Sequence, residues 1–171
     1  MIRMISKTTG ICLLLSMLLL SACAKAEEPE TPQIETGKGN ACRFSLDSEL
    51  LETAEKGQLK GLKVNLNHSR SELEQAYGQP DEVGFENADY LKYDNCYFYI
   101  WDENKIGVID IKINESVEEV KMVLGEPDSE GNSDGGYDEY GLSYTTGDYS
   151  LYFMYEDAAS TEGIVRIKSM N

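Results

Sequence analysis

The chain has 171 residues, with 31 acidic side chains against 15 lysines and arginines, a net charge of −16 and an isoelectric point near 4.3. A surface this acidic repels phosphate backbones and anionic headgroups, which argues against nucleic acid as a partner. It is compatible with a basic protein partner, a cation-rich envelope polymer or simple solubility, and solubility is the plainest of the three.

The N-terminus has the organisation of an export signal. Arg3 and Lys7 supply a positive start without an acid, and residues 11–20 form a short apolar run. About ten apolar residues fall short of the roughly 20 that a membrane-spanning helix needs. The run ends Leu20-Ser21-Ala22-Cys23, which resembles the lipobox of bacterial lipoproteins. That resemblance implies that residues 1–22 are removed and that Cys23 is diacylated and becomes the mature N-terminus. The diacylglyceryl cysteine would then hold the protein on the extracytoplasmic face of the cell membrane, because two acyl chains anchor stably where one is marginal. Loss of Arg3 and Lys7 takes the mature charge to −18. Residues 24–40 carry two prolines, four glutamates and one large apolar residue, Ile34. Such a segment cannot offset its chain entropy by burial, so 23–44 is expected to be a disordered acidic tether ahead of a domain at 45–171.

With Cys12 in the signal and Cys23 lipidated, Cys42 and Cys96 remain as an even pair in an exported chain. One reading is a disulfide that pins the segment before the first helix to a strand, closing a loop of roughly 50 residues worth a few kcal/mol. The other is a buried Cys96 and an incidental Cys42.

In the domain, Leu46, Leu50, Leu51 and Ala54 share one face of a short helix opening at 45–48, with Gly57 as its stop. Leu62, Val64 and Leu66 alternate with Lys63 and Asn65, the pattern of a half-buried strand. Ser69-x-x-Glu72 is a capping box for a helix of about eight residues. Gly78 ends that helix and Pro80 forbids its continuation. Aromatic strands are expected at 90–93, 96–101 and 107–113. The pattern then repeats 47 positions on. Leu66-Asn67-His68-Ser69-Arg70-Ser71-Glu72-Leu73, continuing to Gly78-Gln79-Pro80-Asp81, matches Ile113-Asn114-Glu115-Ser116-Val117-Glu118-Glu119-Val120, continuing to Gly125-Glu126-Pro127-Asp128. Strands at 137–140, 142–145, 149–155 and 163–169 complete the second copy, with about nine inserted residues around Gly147 and 158–161. Residues 108–113 resemble both 62–66 and 164–168, so one strand closes the first unit and opens the second. The expected fold is α+β, a tandem of two small β-α-β-β units over about 61–107 and 108–169, with a mostly antiparallel sheet and short helices on one side. The repeated Ser, Glu, Gly and Pro are folding punctuation and not a catalytic serine constellation.

Ala54-Glu55-Lys56-Gly57, Gly61 and the two Gly-x-Pro-Asp segments resemble the YjgB-like lipoproteins of Gram-positive bacteria, over roughly residues 48–169. Those are exported proteins of a domain of unknown function, so the resemblance implies a fold and a location without an activity. The order of helix, Gly-x-Pro and strands is more distantly similar to the β-lactamase inhibitory protein and to small outer-membrane assembly lipoproteins. Those folds bind proteins through a sheet and do no chemistry, but fold alone does not fix function.

His68 is the sole histidine and its counterpart in the second copy is Glu115, so it is expected to be an exposed turn residue. Without a second histidine or an evident free thiol, neither a Ser-His-Asp nor a Cys-His arrangement assembles, and no zinc cluster is present in the sequence. Residues 128–139 place Asp128, Glu130, Asn132, Asp134 and Glu139 at relative positions 1, 3, 5, 7 and 12 of a calcium loop. The glycine needed at position 6 is Ser133, and a strand follows instead of a helix, so a solvated loop is the default. The rival to a binding role is a metal-dependent hydrolase or calcium-binding protein using those acids. The strongest functional signal is aromatic. Cys96, Phe98 and Ile100 occupy one strand face and Tyr97, Tyr99 and Trp101 the other, and Tyr152 and Met154 likewise oppose Leu151, Phe153 and Tyr155. A strand in a two-layer domain needs one apolar face, and a second rich in Tyr and Trp suits an interface. Alternatively the two units pack these faces on each other, or the tyrosines pair across strands. The sequence therefore leads to a non-enzymatic, membrane-anchored module without a cofactor, whose partner is an envelope or secreted protein.

Overall fold

The computed structural model describes residues 42–132 and 139–170. Residues 1–41, with the signal, Cys23 and most of the tether, and residues 133–138 and Asn171 lie outside the described residues, whereas 42–44, expected as the disordered end of the tether, are ordered, with Cys42 buried. Helix α1 (Leu50–Ala54) precedes two parallel series of elements. The first is α2 (Arg70–Tyr77), β1 (Glu82–Glu86), β2 (Ala88–Tyr93), β3 (Cys96–Trp101) and β4 (Lys105–Ile113). The second is α3 (Val117–Leu124), β5 (Ser129–Asn132), β6 (Tyr140–Thr146), β7 (Tyr149–Tyr155) and β8 (Gly163–Ser169). The strands form one antiparallel sheet in the order β1-β2-β3-β4-β8-β7-β6-β5, so each copy is one half of the sheet.

Local punctuation acts identically in both halves. The Ser69 hydroxyl accepts from the Glu72 amide at 3.3 Å while the Glu72 carboxylate accepts from the Ser69 amide at 2.7 Å. The Ser116–Glu119 box repeats this at 3.4 and 2.8 Å. Each helix stops at a glycine in positive φ, Gly78 at 83° and Gly125 at 84°, where a side chain would be strained. The repeated aspartate is punctuation as well. Asp81 accepts the amide of Asp94 at 2.8 Å, and Asp128 that of Thr145 at 2.6 Å, tying each Gly-x-Pro-Asp turn to the next hairpin. The Tyr93 and Tyr144 hydroxyls donate to the carbonyls of Gly78 and Gly125 at 3.1 and 3.0 Å.

The halves meet at β4 and β8, which pair Val108 with Lys168, Asp110 with Arg166 and Lys112 with Ile164. Val108 and Ile164, Asp110 and Arg166, and Lys112 and Lys168 hold equivalent places in the two copies. The pairing is therefore symmetric about the Asp110–Arg166 pair. The core lies on one face of the sheet, along rows such as Leu91, Phe98, Ile109, Ile167, Leu151 and Tyr144, all direct cross-strand neighbours. Leu50 of α1, Leu73 of α2 and Val117 and Val120 of α3 join the same core, which places the helices on that side. Phe98 and Phe153 meet Tyr93 and Tyr144 edge-on, at ring separations of 5.8 and 6.0 Å.

Cys42 and Cys96 form a disulfide with Cα atoms 6.0 Å apart and 54 positions between them in sequence. It fastens the segment ahead of α1 to the core face of β3, and Phe44 of that segment packs edge-on against Phe153 at 6.5 Å.

Five further expectations are corrected. Residues 62–66 form no strand, although Leu62, Val64 and Leu66 are buried as their alternation indicates. Both sides of β4 are taken by β3 and β8, and only its first residues are free to bond, to Asn67 and His68. Each unit is therefore one helix followed by four strands. Strands β1 and β5 were not expected, because Glu-Val-Gly-Phe-Glu and Ser-Glu-Gly-Asn lack an apolar alternation that reaches the core. The insertion is spread out: the offset is 47 at Asp81 and Asp128, 51 at Tyr93 and Tyr144, 55 at Phe98 and Phe153, and 56 at Asp110 and Arg166. Four residues thus enter the β5–β6 connection, four the β6–β7 hairpin and one the β7–β8 loop. Of the strand expected at 137–140, only Tyr140 is in a strand, as the first residue of β6, and 137–138 lie outside the described residues. His68, expected exposed, is half-buried, with its Nδ1 enclosed and without a hydrogen-bond partner.

Candidate binding face

The face of the sheet opposite the helices carries the tyrosines. Alternation along β3 puts Cys96 and Phe98 into the core and turns Tyr97 and Tyr99 outward. Register then gathers side chains from the whole sheet. Lys92, Tyr97, Asp110, Arg166 and Tyr152 form one row, and Tyr90, Tyr99, Val108 and Lys168 the next. Tyr97 and Tyr99 are half-buried and Trp101 is 49% exposed. A bulge after Tyr99 shifts the register of the strand end, and the Trp101 ring lies over Gly107. Tyr90 covers Gly84 and Tyr152 covers Gly141, where any Cβ would collide with the ring. Glycine at these two positions lets the rings lie flat on the sheet.

The central feature is an ion pair. Arg166 donates to both carboxylate oxygens of Asp110, Nε at 2.7 Å and Nη2 at 2.6 Å, the strong fork-to-carboxylate arrangement. Asp110 is 5% exposed, whereas the Arg166 side chain keeps 36% of its exposure. The hydrogen bond to Asp110 raises the guanidinium pKa further above its ordinary value. Burial, with Asp110 and Glu86 nearby, pushes the Tyr99 hydroxyl pKa up. Lys92 and Lys112 sit over the Tyr97 ring at 5.4 and 6.0 Å. Tyr90 packs on Tyr97 and Tyr99 at 5.7 and 6.0 Å. The tyrosines thus do pair across strands. The halves lie side by side in one sheet and do not cover this face with each other.

A groove of about 900 Å³ runs over the Asp110–Arg166 pair, floored by Tyr97, Tyr99, Met154 and Ile164. A second hollow of about 270 Å³ adjoins it, between Trp101, Val108 and the 86–88 turn. Glu86, Tyr99 and Arg166 border both.

The other candidate residues fall elsewhere. Cys23 and Asp134 lie outside the described residues. Cys42 and Cys96 are on the core side. Asp128 is committed to the Thr145 amide, and Glu130 to Lys121 at 2.7 Å and to the Tyr140 hydroxyl. Asn132 ends β5, paired with Tyr140, so 129–132 is a strand of the sheet. Glu139 does not join Asp128 or Glu130 but borders the tyrosine groove. Among the described residues, no group of three His, Cys, Asp or Glu side chains is placed to hold a metal. Asp110, Arg166, Glu86, Glu156 and Glu162 were missed as site residues. The signal available was the outward phase of 108–113 and 164–168, which puts Asp and Arg at equivalent positions.

The fold and this face define an α+β domain with a single sheet, one side closed by helices and the other, among the described residues, an open aromatic surface. The sequence profile of the DUF4309 family, a domain of unknown function, matches residues 47–170, and the chain belongs to that family. Its structure is similar to the crystal structure of the DUF4309 family protein YjgB from Bacillus subtilis subsp. subtilis str. 168. The TM-score is 0.57 and the identity 23%, over 72% of this chain and 95% of that one, a likeness of fold. No curated protein matches the chain.

Proposed function

We propose that the protein is a non-enzymatic binding module, anchored through a diacylated Cys23 to the outer face of the cytoplasmic membrane, which holds an envelope or secreted protein on its tyrosine face. One observation carries this reading: among the described residues the face opposite the helices is left open, yet it is furnished with flat-lying tyrosines, an exposed Trp101 and a half-buried ion pair. Aromatic side chains with polar tips give large rigid contact area at little entropic cost, which suits recognition. Both Asp110 oxygens accept from Arg166, which favours a structural role for this pair over that of a general base.

The test is retention of an exported protein from the cell's own envelope fraction by the immobilised domain. Tyr99→Ala plus Trp101→Ala should abolish retention while the melting temperature and circular dichroism stay those of the parent. Undiminished retention by that variant removes the tyrosine face from the function. Cys23→Ala should move the protein from the membrane fraction to the medium, and continued membrane fractionation would refute the anchor.

A further inference from the structure

The open face has a charge pattern that its tyrosines do not require. Glu86, Glu139, Glu156 and Glu162 border the main groove, all four exposed. None of them has an ion-pair partner among the described residues, whereas Glu82 and Glu130 on the flanking strands are paired with Lys92 and Lys121. The cations that border the groove are Arg166 and Lys112. Among the described residues, Arg166 is neutralised by Asp110 and Lys92 of the same face by Glu82, which leaves Lys112 against four carboxylates, with Lys168 opposite Val108 toward the Trp101 end. Glu139, Glu156 and Glu162 come from the ends of β6, β7 and β8 that lie together, since Tyr140 pairs with Tyr155 and Tyr155 with Gly163. Trp101 and its hollow sit toward the opposite end of the face, where Val108 pairs with Lys168. From Val108 to Ile113 the β4 strand covers about 17 Å, the length of five or six extended residues.

We propose that this face takes an extended, basic peptide segment of its partner. An aromatic or large apolar side chain fills the hollow between Trp101 and Val108. The chain then crosses Arg166 between Tyr99 and Met154, and lysines or arginines lie among Glu139, Glu156 and Glu162. Charge complementarity selects the occupant, because an acidic segment would meet uncompensated carboxylates over the end of the track and a mature chain of net charge −18 around it. The open, elongated groove accommodates a strand of peptide and does not enclose a small molecule as a pocket would. This inference rests on the binding-module reading.

Trp101 is the only tryptophan of the chain, so its fluorescence reports occupancy of the hollow directly. The mature domain is titrated with the acetylated hexapeptide Phe-Lys-Ala-Lys-Ala-Lys, with its glutamate counterpart Phe-Glu-Ala-Glu-Ala-Glu, and with spermine. The lysine peptide should bind saturably and weaken with added salt, and the glutamate peptide should not bind. Glu139→Gln, Glu156→Gln and Glu162→Gln together should weaken the lysine peptide about tenfold, as expected from three exposed ion pairs. No saturable signal with the lysine peptide at millimolar concentration overturns the proposal, as does equal binding of the two peptides. A spermine response as strong as that of the peptide would assign the face to small polycations and also overturn it. If the triple Gln variant keeps the natural partner while Tyr99→Ala plus Trp101→Ala loses it, the basic-segment inference falls and the binding module stands. If neither variant affects retention, both fall.

Discussion

The first half of the molecule, α2 through β4, and the second, α3 through β8, use the same side chains wherever they shape the fold. Ser69 and Ser116 cap, Gly78 and Gly125 stop, Asp81 and Asp128 latch the hairpin, and Phe98 and Phe153 fill the core beneath Tyr93 and Tyr144. They diverge elsewhere. Cys96 of β3 corresponds to Leu151 of β7, so the covalent tie belongs to one half alone. Val83 and Phe85 of edge strand β1, 56% and 75% exposed, correspond to Glu130 and Asn132 of the other edge strand, where Glu130 is paired with Lys121. At the seam the equivalent residues have opposite charge, Asp110 and Arg166, and face each other. Two carboxylates or two guanidinium groups there would repel at close range, so the symmetric contact is stable only when the copies differ. Duplication preserved the instructions for folding. The differences between the copies lie at the seam and on the open face.

The largest effect is expected from removing the asymmetric tie. Cys42→Ser plus Cys96→Ser should cost about 4 kcal/mol in the entropic account of a loop this long. Cys42→Ser with Cys96→Leu, which gives the first half the residue of the second, should lose less. Urea unfolding free energies, with the slope fitted for each variant because loss of the tie expands the denatured chain, measure both. Next is the seam. Arg166→Leu leaves the buried Asp110 carboxylate without its partner and should cost about 3 kcal/mol, near the low end of the buried-pair range because Arg166 keeps part of its solvent contact. The exchange Asp110→Arg plus Arg166→Asp should return to within about 1 kcal/mol of the parent if the seam is as symmetric as its register. An exchange no better than the single change would break that symmetry.

The smallest effect is expected from the caps. Ser69→Ala and Ser116→Ala should each cost about 1 kcal/mol, equally and additively, since the two boxes are the same device far apart. Hydrogen bonds from the Ser69 and Ser116 amides, and then from their hydroxyls, hold the Glu72 and Glu119 carboxyls below their ordinary 4.5. With the folded-state pKa lowered, this stabilisation is complete above about pH 4.5 and is lost as pH falls through the lowered values. Glu72→Gln plus Glu119→Gln should therefore flatten the acid limb of the stability profile below that pH. An unchanged limb would mean that the boxes do not matter in solution. At the alkaline end, burial pushes Tyr93 and Tyr144 up to about 12. The two halves should contribute alike to destabilisation as pH rises from 10 toward 12, with Tyr93→Phe and Tyr144→Phe each removing a similar share.

Much of this was legible in the sequence because it was local. Capping boxes, Gly-x-Pro stops and the strands 96–101, 149–155 and 163–169 depend on residues close together, and the structure has them at those positions. Alternation alone put Tyr97, Tyr99 and Trp101 on one strand face, and the single sheet then decided that the two halves do not cover that face with each other. Residues 62–66 show the limit: their alternation gave the right burial, but not the ladder, which depends on whether a neighbouring strand has a free side. The acidic rim was illegible for the same reason. In a chain with 31 acids, Glu86, Glu139, Glu156 and Glu162 stand out only when the sheet brings four separate strand ends around one groove.

By itself, then, the sequence determined two copies of a helix-and-strand unit, their caps and stops, and which side of each strand is apolar, because backbone geometry and hydrophobic periodicity act over a few residues. The tertiary structure alone decided that the copies join edge to edge through β4 and β8, with Asp110 against Arg166. It likewise decided that their outward faces merge into one tyrosine groove, because register between strands 56 residues apart is set by the packing of the whole core and not by any local signal.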